Sequence, residues 1–148
     1  MEFLNKIMAK AKAEGIIKNV VGAIIMNDNN EVLILERKKD DFMGGIDELP
    51  SGNLEAGETI QDGMLREVKE ETNLDVKNIS KYINSFDYIS GSGKKARQYN
   101  FLVEVNSTED IILTEHDAYK WQSIDEAIKN EKITDEVKFA LEIVEFNK

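Results

Sequence analysis

The sequence predicts a mixed α/β sandwich, and three observations lead there. Four strand-like segments, Ile16 to Met26, Glu31 to Arg37, Val76 to Ile89 and Arg97 to Val105, are interleaved with segments of helical spacing. Turn-forming clusters separate them, notably Asp28-Asn29-Asn30 and Ser90-Gly91-Ser92-Gly93. The helical segments carry apolar stripes that need a sheet to cover, which favours layers over a bundle or a barrel. With 148 residues, 41% of them apolar, and no linker-like tract, the chain has the core of one domain.

Taken in order, Phe3, Leu4, Ile7, Met8 and Ala11 have helical spacing and predict a helix over residues 2–13. We read residues 1–15 as an N-terminal helical extension and 16–148 as the domain proper. The extension has two surfaces to choose from, the body of its own chain or a second subunit, so a homodimer is one outcome. Ile16 to Met26 and Glu31 to Arg37 read as the two arms of a hairpin, followed by a polar loop from Lys38 to Gly45. Val76 to Ile89 and Arg97 to Val105 read as a second hairpin. Ser123-Ile124-Asp125-Glu126 has the form of a capping box and starts a short helix, and Asp135 to Phe146 predicts a final one.

The stretch between the hairpins carries the chemistry. From Leu49 to Glu58 the chain reads Leu-Pro-Ser-Gly-Asn-Leu-Glu-Ala-Gly-Glu, a loop in which Gly52 and Gly57 permit close approaches that other residues resist. Thr59 then has the character of an N-cap, Asp62 complements the positive helix start, and Asn73 suits the left-handed position that ends a helix. Along this helix Ile60, Met64, Glu67 and Glu71 fall on one face, so two glutamates occupy positions where an apolar stripe should continue. Glu70 flanks them. Like charges at i, i+4 cost roughly 0.2 to 0.5 kcal/mol each, and the negative end of the helix dipole adds to the cost. A positive partner has to gather these acids. Arg66 is one; several carboxylates without a soft donor also suit a hard cation such as Mg²⁺ or Mn²⁺.

This segment resembles the Nudix box: Gly, five residues, Glu, seven residues, then Arg-Glu-apolar-x-Glu-Glu-x-Gly-apolar. Gly52, Glu58, Arg66, Glu67, Val68, Glu70, Glu71 and Leu74 match, and Asn73 stands where the pattern has glycine. The resemblance, to the MutT-like Nudix superfamily, covers roughly Lys18 to Asn147. It implies an α/β/α sandwich with a mixed sheet between helices, and metal-dependent hydrolysis of a diphosphate linkage in nucleoside diphosphate-X substrates. It further implies Glu67 and Glu71 as metal ligands, with Glu70 a third ligand or the base, and the backbone carbonyl of Gly52 as a further candidate. Glu58 and Arg66 are expected to pair and to hold those glutamates in place.

Further candidates lie outside the box. Glu115, in Thr114-Glu115-His116-Asp117, is an alternative base, set against the plainer reading of an exposed acidic loop with a surface histidine. Arg37 and Arg97, each at a strand end, are the candidate phosphate contacts, since arginine grips phosphate with a bidentate fork. Tyr119 and Trp121 are read as packing residues.

Composition excludes several classes. A net charge of -10 disfavours stable nucleic-acid binding, and with it messenger-RNA decapping. The absence of cysteine removes thiolate metal sites and the isoprenoid-isomerising branch of the family, and a single histidine removes multi-histidine zinc. No apolar run is long enough to cross a bilayer, so the expectation is a cytoplasmic enzyme with a small phosphorylated nucleotide as its partner. The expected substrate is a nucleoside triphosphate, in the manner of MutT pyrophosphatases. ADP-ribose or a nucleotide sugar is the alternative, and a non-catalytic nucleotide-sensing module the reading from another class.

Overall fold

A computed structural model describes residues 2–40 and 44–147, so part of the expected loop from Lys38 to Gly45 lies outside the described residues. The chain runs α1 (Glu2–Ala13), β1 (Lys18–Ile25), β2 (Glu31–Arg37), β3 (Asp47–Glu48), β4 (Ser51–Asn53), α2 (Ile60–Thr72), β5 (Val76–Ile89), β6 (Lys95–Val105), β7 (His116–Ser123), α3 (Ile124–Lys129) and α4 (Asp135–Phe146). A mixed sheet has the order β4-β1-β6-β5, with β1 and β6 parallel and the other pairs antiparallel. A second, antiparallel sheet has the order β3-β2-β7.

Strand alternation sends apolar residues to both sides of this layer. Val21, Ala23, Ile25, Tyr99, Phe101 and Val103 face α1 and α2, where Ala11, Ile60, Met64 and Val68 close the first core. Ile24, Val32, Ile34 and Leu49 face α3 and α4, where Ile124, Ala127, Ala140 and Leu141 close the second. The result is the three-layer α/β/α sandwich that the sequence predicts. On α4, Val137, Ala140, Leu141 and Val144 are buried, while Phe139 lies 59% exposed.

The first expected hairpin is corrected. β1 and β2 meet in a single bridge, Met26 with Val32, beside the bond from the Asn27 amide to the Glu31 carbonyl, and then diverge into different sheets. β4 and β6 take the two edges of β1, and β3 and β7 take the two edges of β2, so neither strand keeps an edge for the other. The second expected hairpin is present as β5 and β6. A strand that the sequence reading passed over is β7: its partly buried pattern and mixed polarity hide it, and it is fixed by pairing with β2 from Glu31 to Arg37. Trp121 packs on the first core, whereas Tyr119, read as a packing residue, is 43% exposed.

The N-terminal helix packs on its own body. Leu4, Ile7 and Met8 join the first core, and the Phe3 ring lies 5.4 Å from that of Tyr82. Arg97 fastens its end: Nε and Nη2 donate to Asp87 at 2.6 and 3.0 Å, and Nη1 to Glu14 at 2.8 Å. The guanidinium holds the Asp87 carboxyl below its ordinary range. Arg97→Met is expected to cost less than about 1 kcal/mol overall, because Asp87 and Glu14 are well exposed. Hydrogen exchange is expected to accelerate in α1 specifically; an unchanged α1 would show that the apolar contacts alone hold it.

Candidate active site

The box forms a loop and helix whose ends are fixed by caps. Thr59 Oγ1 accepts the Asp62 amide at 3.1 Å, and Asn73 adopts φ 68° while its amide donates to the Lys69 carbonyl. Asparagine therefore takes the left-handed conformation for which the family pattern uses glycine. Val68 and Met64 are buried by the core, and the same helical face carries Glu67 and Glu71 into the protein. Glu71 is 8% exposed, and Ser51 of β4 donates its amide to Glu71 Oε1 at 2.8 Å.

Glu67 lies against the backbone of Gly52. A Cβ placed on that glycine would stand 1.9 Å from Glu67 Oε2, so residue 52 must lack a side chain for the carboxylate to stay where it is. Arg66 organises the outer side. Its Nε and Nη2 donate to the two oxygens of Glu58 at 2.7 and 2.8 Å, and Nη1 donates to Glu67 at 2.7 Å and Glu70 at 3.2 Å. Nη2 also reaches the Asn53 carbonyl at 2.9 Å. One planar guanidinium thus spans three glutamates and the loop, a geometry that lysine could not reproduce.

The electrostatics divide these acids by position. The Arg66 bond, with the Glu55 amide, lowers Glu58 to about 2. Burial, aided by Glu48, Glu67 and Glu115, raises Glu71 to about 9 against the opposing Ser51 amide. Glu67 is raised in the same sense, again chiefly by burial. Glu70 is the open member, with 57% of its side chain exposed.

Among the described residues no three acids or histidines are already gathered into a closed metal cluster. The donor chemistry fits a hard divalent cation nonetheless: Glu71 is a nearly buried carboxylate with a backbone amide as its partner, beside a second inward carboxylate and the Gly52 backbone. Burying such charge without a cation is costly, and a cation would remove the cost.

The remaining expected residues separate. Glu115 is exposed, but Thr114 Oγ1 donates to the Glu70 carbonyl at 2.9 Å and anchors its loop on the end of α2. The field of Glu115 reaches Glu67 and Glu71. The histidine beside it is not on the surface: His116 is buried, and its Nε2 lies 2.8 Å from Glu48 Oε2. Arg37 lines a cavity of about 440 Å³ that also borders Glu48, Ser51 and Asn53, with Nε donating to Glu48 at 3.2 Å. Arg97 lies elsewhere. Alternation along β6 places Gln98 on that cavity and turns Arg97 to the opposite face, where Asp87 and Glu14 engage it. Glu48 was missed because an acid two residues before a proline reads as loop; its burial comes from β3 pairing with β2.

Comparison with known proteins gives the class. The NUDIX domain model matches residues 17–143. This chain belongs to the NUDIX family. It is 47% identical over 58 residues to Nudix hydrolase 2 of Arabidopsis thaliana, a match covering 38% of this chain and 21% of that protein. The chain thus spans about a fifth of that relative's length. A longer match, 28% identical over 120 residues, joins it to the dihydroneopterin triphosphate diphosphatase of Escherichia coli (strain K12), covering 70% of this chain and 75% of that one. Among solved structures, the MutT protein from Methanosarcina mazei Go1 superposes with a TM-score of 0.76 at 26% identity, covering 91% and 98% of the two chains.

Two outcomes test the electrostatics. Glu58 has a folded-state pKa below its ordinary value, so its contribution to stability is present above about pH 4.5 and is lost as pH falls towards about 2. The stability gap between wild type and Glu58→Gln should therefore close across that window in urea titrations. Glu71 has the opposite sign: its raised pKa means that the metal-free protein loses stability as pH rises from about 4.5 towards 9. Glu71→Gln should then stabilise the metal-free protein at pH 8, and Mg²⁺ at a hundredfold excess over its Kd should add about 3 kcal/mol to wild type. Equal melting of wild type and variant without metal would contradict this.

Proposed function

We propose that the protein is a divalent-metal-dependent hydrolase that cleaves a diphosphate linkage in nucleoside diphosphate-X compounds, with nucleoside triphosphates as the first candidates. The observation that carries the proposal is the pair of inward carboxylates, Glu67 and Glu71, set against Gly52 and Ser51 where that loop borders the cavity. A nucleotide seated in the cavity would bring its phosphates to those acids. The longer relative's name refers to a triphosphate, which supports this order of candidates. ADP-ribose or a nucleotide sugar is the second reading.

In this proposal Glu67, Glu71 and the Gly52 carbonyl would hold the cation, Mg²⁺ or Mn²⁺, and Glu70 is left as the base rather than a third ligand. Bound there, it would supply charge neutralisation at the phosphate oxygens and acidify water. The chain's own residues do the rest. Arg66, paired with Glu58, keeps Glu67 and Glu70 oriented. Glu70, exposed and adjacent, accepts the proton as the water oxygen bonds to phosphorus and the bridging oxygen departs. Glu115 is the alternative acceptor, since its field reaches the same acids.

The test is a nucleotide panel with Mg²⁺ in which the products are identified. Turnover to a nucleoside monophosphate and pyrophosphate is expected with triphosphates, falling by about 10² to 10⁴ in Glu70→Gln. Glu115→Gln is expected to change the rate by less than about tenfold; a larger loss there than in Glu70→Gln would move the base to Glu115. No turnover across the panel would leave a nucleotide-sensing module.

A further inference from the structure

The helix that carries the glutamates ends against a strap, the segment from Asp110 to His116 that leads into β7. A helix leaves its last carbonyls without amide partners, and here the strap supplies donors to them. The Ile112 amide donates to the Thr72 carbonyl at 3.0 Å, and Thr114 Oγ1 donates to the Glu70 carbonyl at 2.9 Å. If α2 continued, the Leu74 amide would serve Glu70; it donates instead to Thr72 Oγ1 at 3.1 Å. Asn73 Nδ2 in turn donates to the Asp110 carbonyl at 3.1 Å. Ile111 and Leu113, between these contacts, pack on the first core.

The Thr114 bond lies in solvent, where water competes for both of its partners. A buried anchor stands two residues further on. His116 has 4% of its side chain exposed, and its Nε2 lies 2.8 Å from Glu48 Oε2 on β3. A slip in register brings it there. Glu36 pairs with Ala118 but Arg37 pairs with His116, so β7 carries Asp117 as an extra residue at that point. Such a bulge re-aims a side chain. Here it turns His116 to the face shared by Leu35, Arg37 and Glu48, the side of the second sheet that packs with α2 in the first core. Glu48 also accepts from Arg37 Nε at 3.2 Å, so β2, β3 and β7 each contribute to the anchor.

We propose that His116 and Thr114 are positioning residues for Glu70: His116 locks the start of β7 to Glu48, and the locked strap fixes, through Thr114, the backbone from which the Glu70 carboxylate reaches the site. The inference rests on the proposed reading of Glu70 as the proton acceptor. Glu70 depends on such support. Its side chain is 57% exposed, and the bond it receives from Arg66, at 3.2 Å, is longer than those Arg66 gives to Glu58 and Glu67. A proton acceptor that drifts from its place lowers the rate even when every reacting group is still present.

The experiment pairs hydrogen exchange with Mg²⁺-dependent turnover of the nucleotide panel in Thr114→Val, Thr114→Ser and His116→Leu. In Thr114→Val and His116→Leu the Ile112 amide is expected to exchange at least about tenfold faster, and kcat to fall about tenfold. Thr114→Ser, which keeps the hydroxyl, should restore both. Action through Glu70 has its own mark: in the Glu70→Gln background, Thr114→Val should lower kcat no further. Faster exchange with unchanged kcat would make the strap a structural tie alone and overturn the proposal. A full additional loss in the Glu70→Gln background would overturn it too, as would unchanged exchange in Thr114→Val. If His116→Leu fails to fold, the Thr114 variants and the Glu70 background decide. Failure of the hydrolase reading is distinct: wild type itself would turn over no nucleotide, and the role given to Glu70 would fall with it.

Discussion

Three glutamates share one guanidinium, and the geometry of the box follows from that sharing. Arg66 holds Glu58 through two bonds and reaches Glu67, Glu70 and the Asn53 carbonyl with its remaining donors. Positive charge is thereby spent on the outer side of the helix. The inner carboxylate, Glu71, is left with the Ser51 amide, and its pKa rises because burial outweighs that single bond. An arrangement that neutralises the outer acids and leaves the inner one in deficit is a poor design for stability alone. A divalent cation held there, as proposed, would offset that deficit.

The loop and helix are held in register by steric and capping requirements that bear on this site. Gly52 cannot carry a side chain while Glu67 lies against it, and Thr59 and Asn73 set where the helix starts and stops. One residue more or less between Thr59 and Glu67 would rotate Glu67 and Glu71 by about 100° relative to the start of the helix. The division of β1 and β2 between two sheets has a parallel role. Glu48, Ser51 and Gln98 border a cavity there, and Ser51 carries it to the site through its bond to Glu71.

Much of this was legible in the residues. Helical spacing exposed the two misplaced glutamates, and the caps of α2 and α3 are written in local side chains that bond their own helix ends. Strands interleaved with helices pointed to a sandwich, and the resemblance implied its sheet between helices. What stayed hidden depends on contacts distant in sequence. β7 is defined by its pairing with β2 some eighty residues away and has no clean alternation of its own. The burial of His116 arises from that same pairing, although its local sequence reads as an acidic loop, and the partial burial of Glu48 arises from the pairing of β3 with β2. Arg97 shows the limit of reading a strand end for its charge, because the parity of one residue sends it to Glu14 and Asp87 instead of the cavity.

With a net charge of -10, loose attraction of cations over the whole surface is the simplest competitor to a built site. Titrating Mn²⁺ into ¹⁵N-labelled protein separates the two, since paramagnetic broadening reports distance from the ion. The account predicts that the amides of Ser51, Gly52 and Asn53 and those of Glu67 to Glu71 broaden first and together, well below the concentrations that affect α1 or α4. Broadening that spreads evenly over the acidic surface, with no priority at those residues, would contradict it.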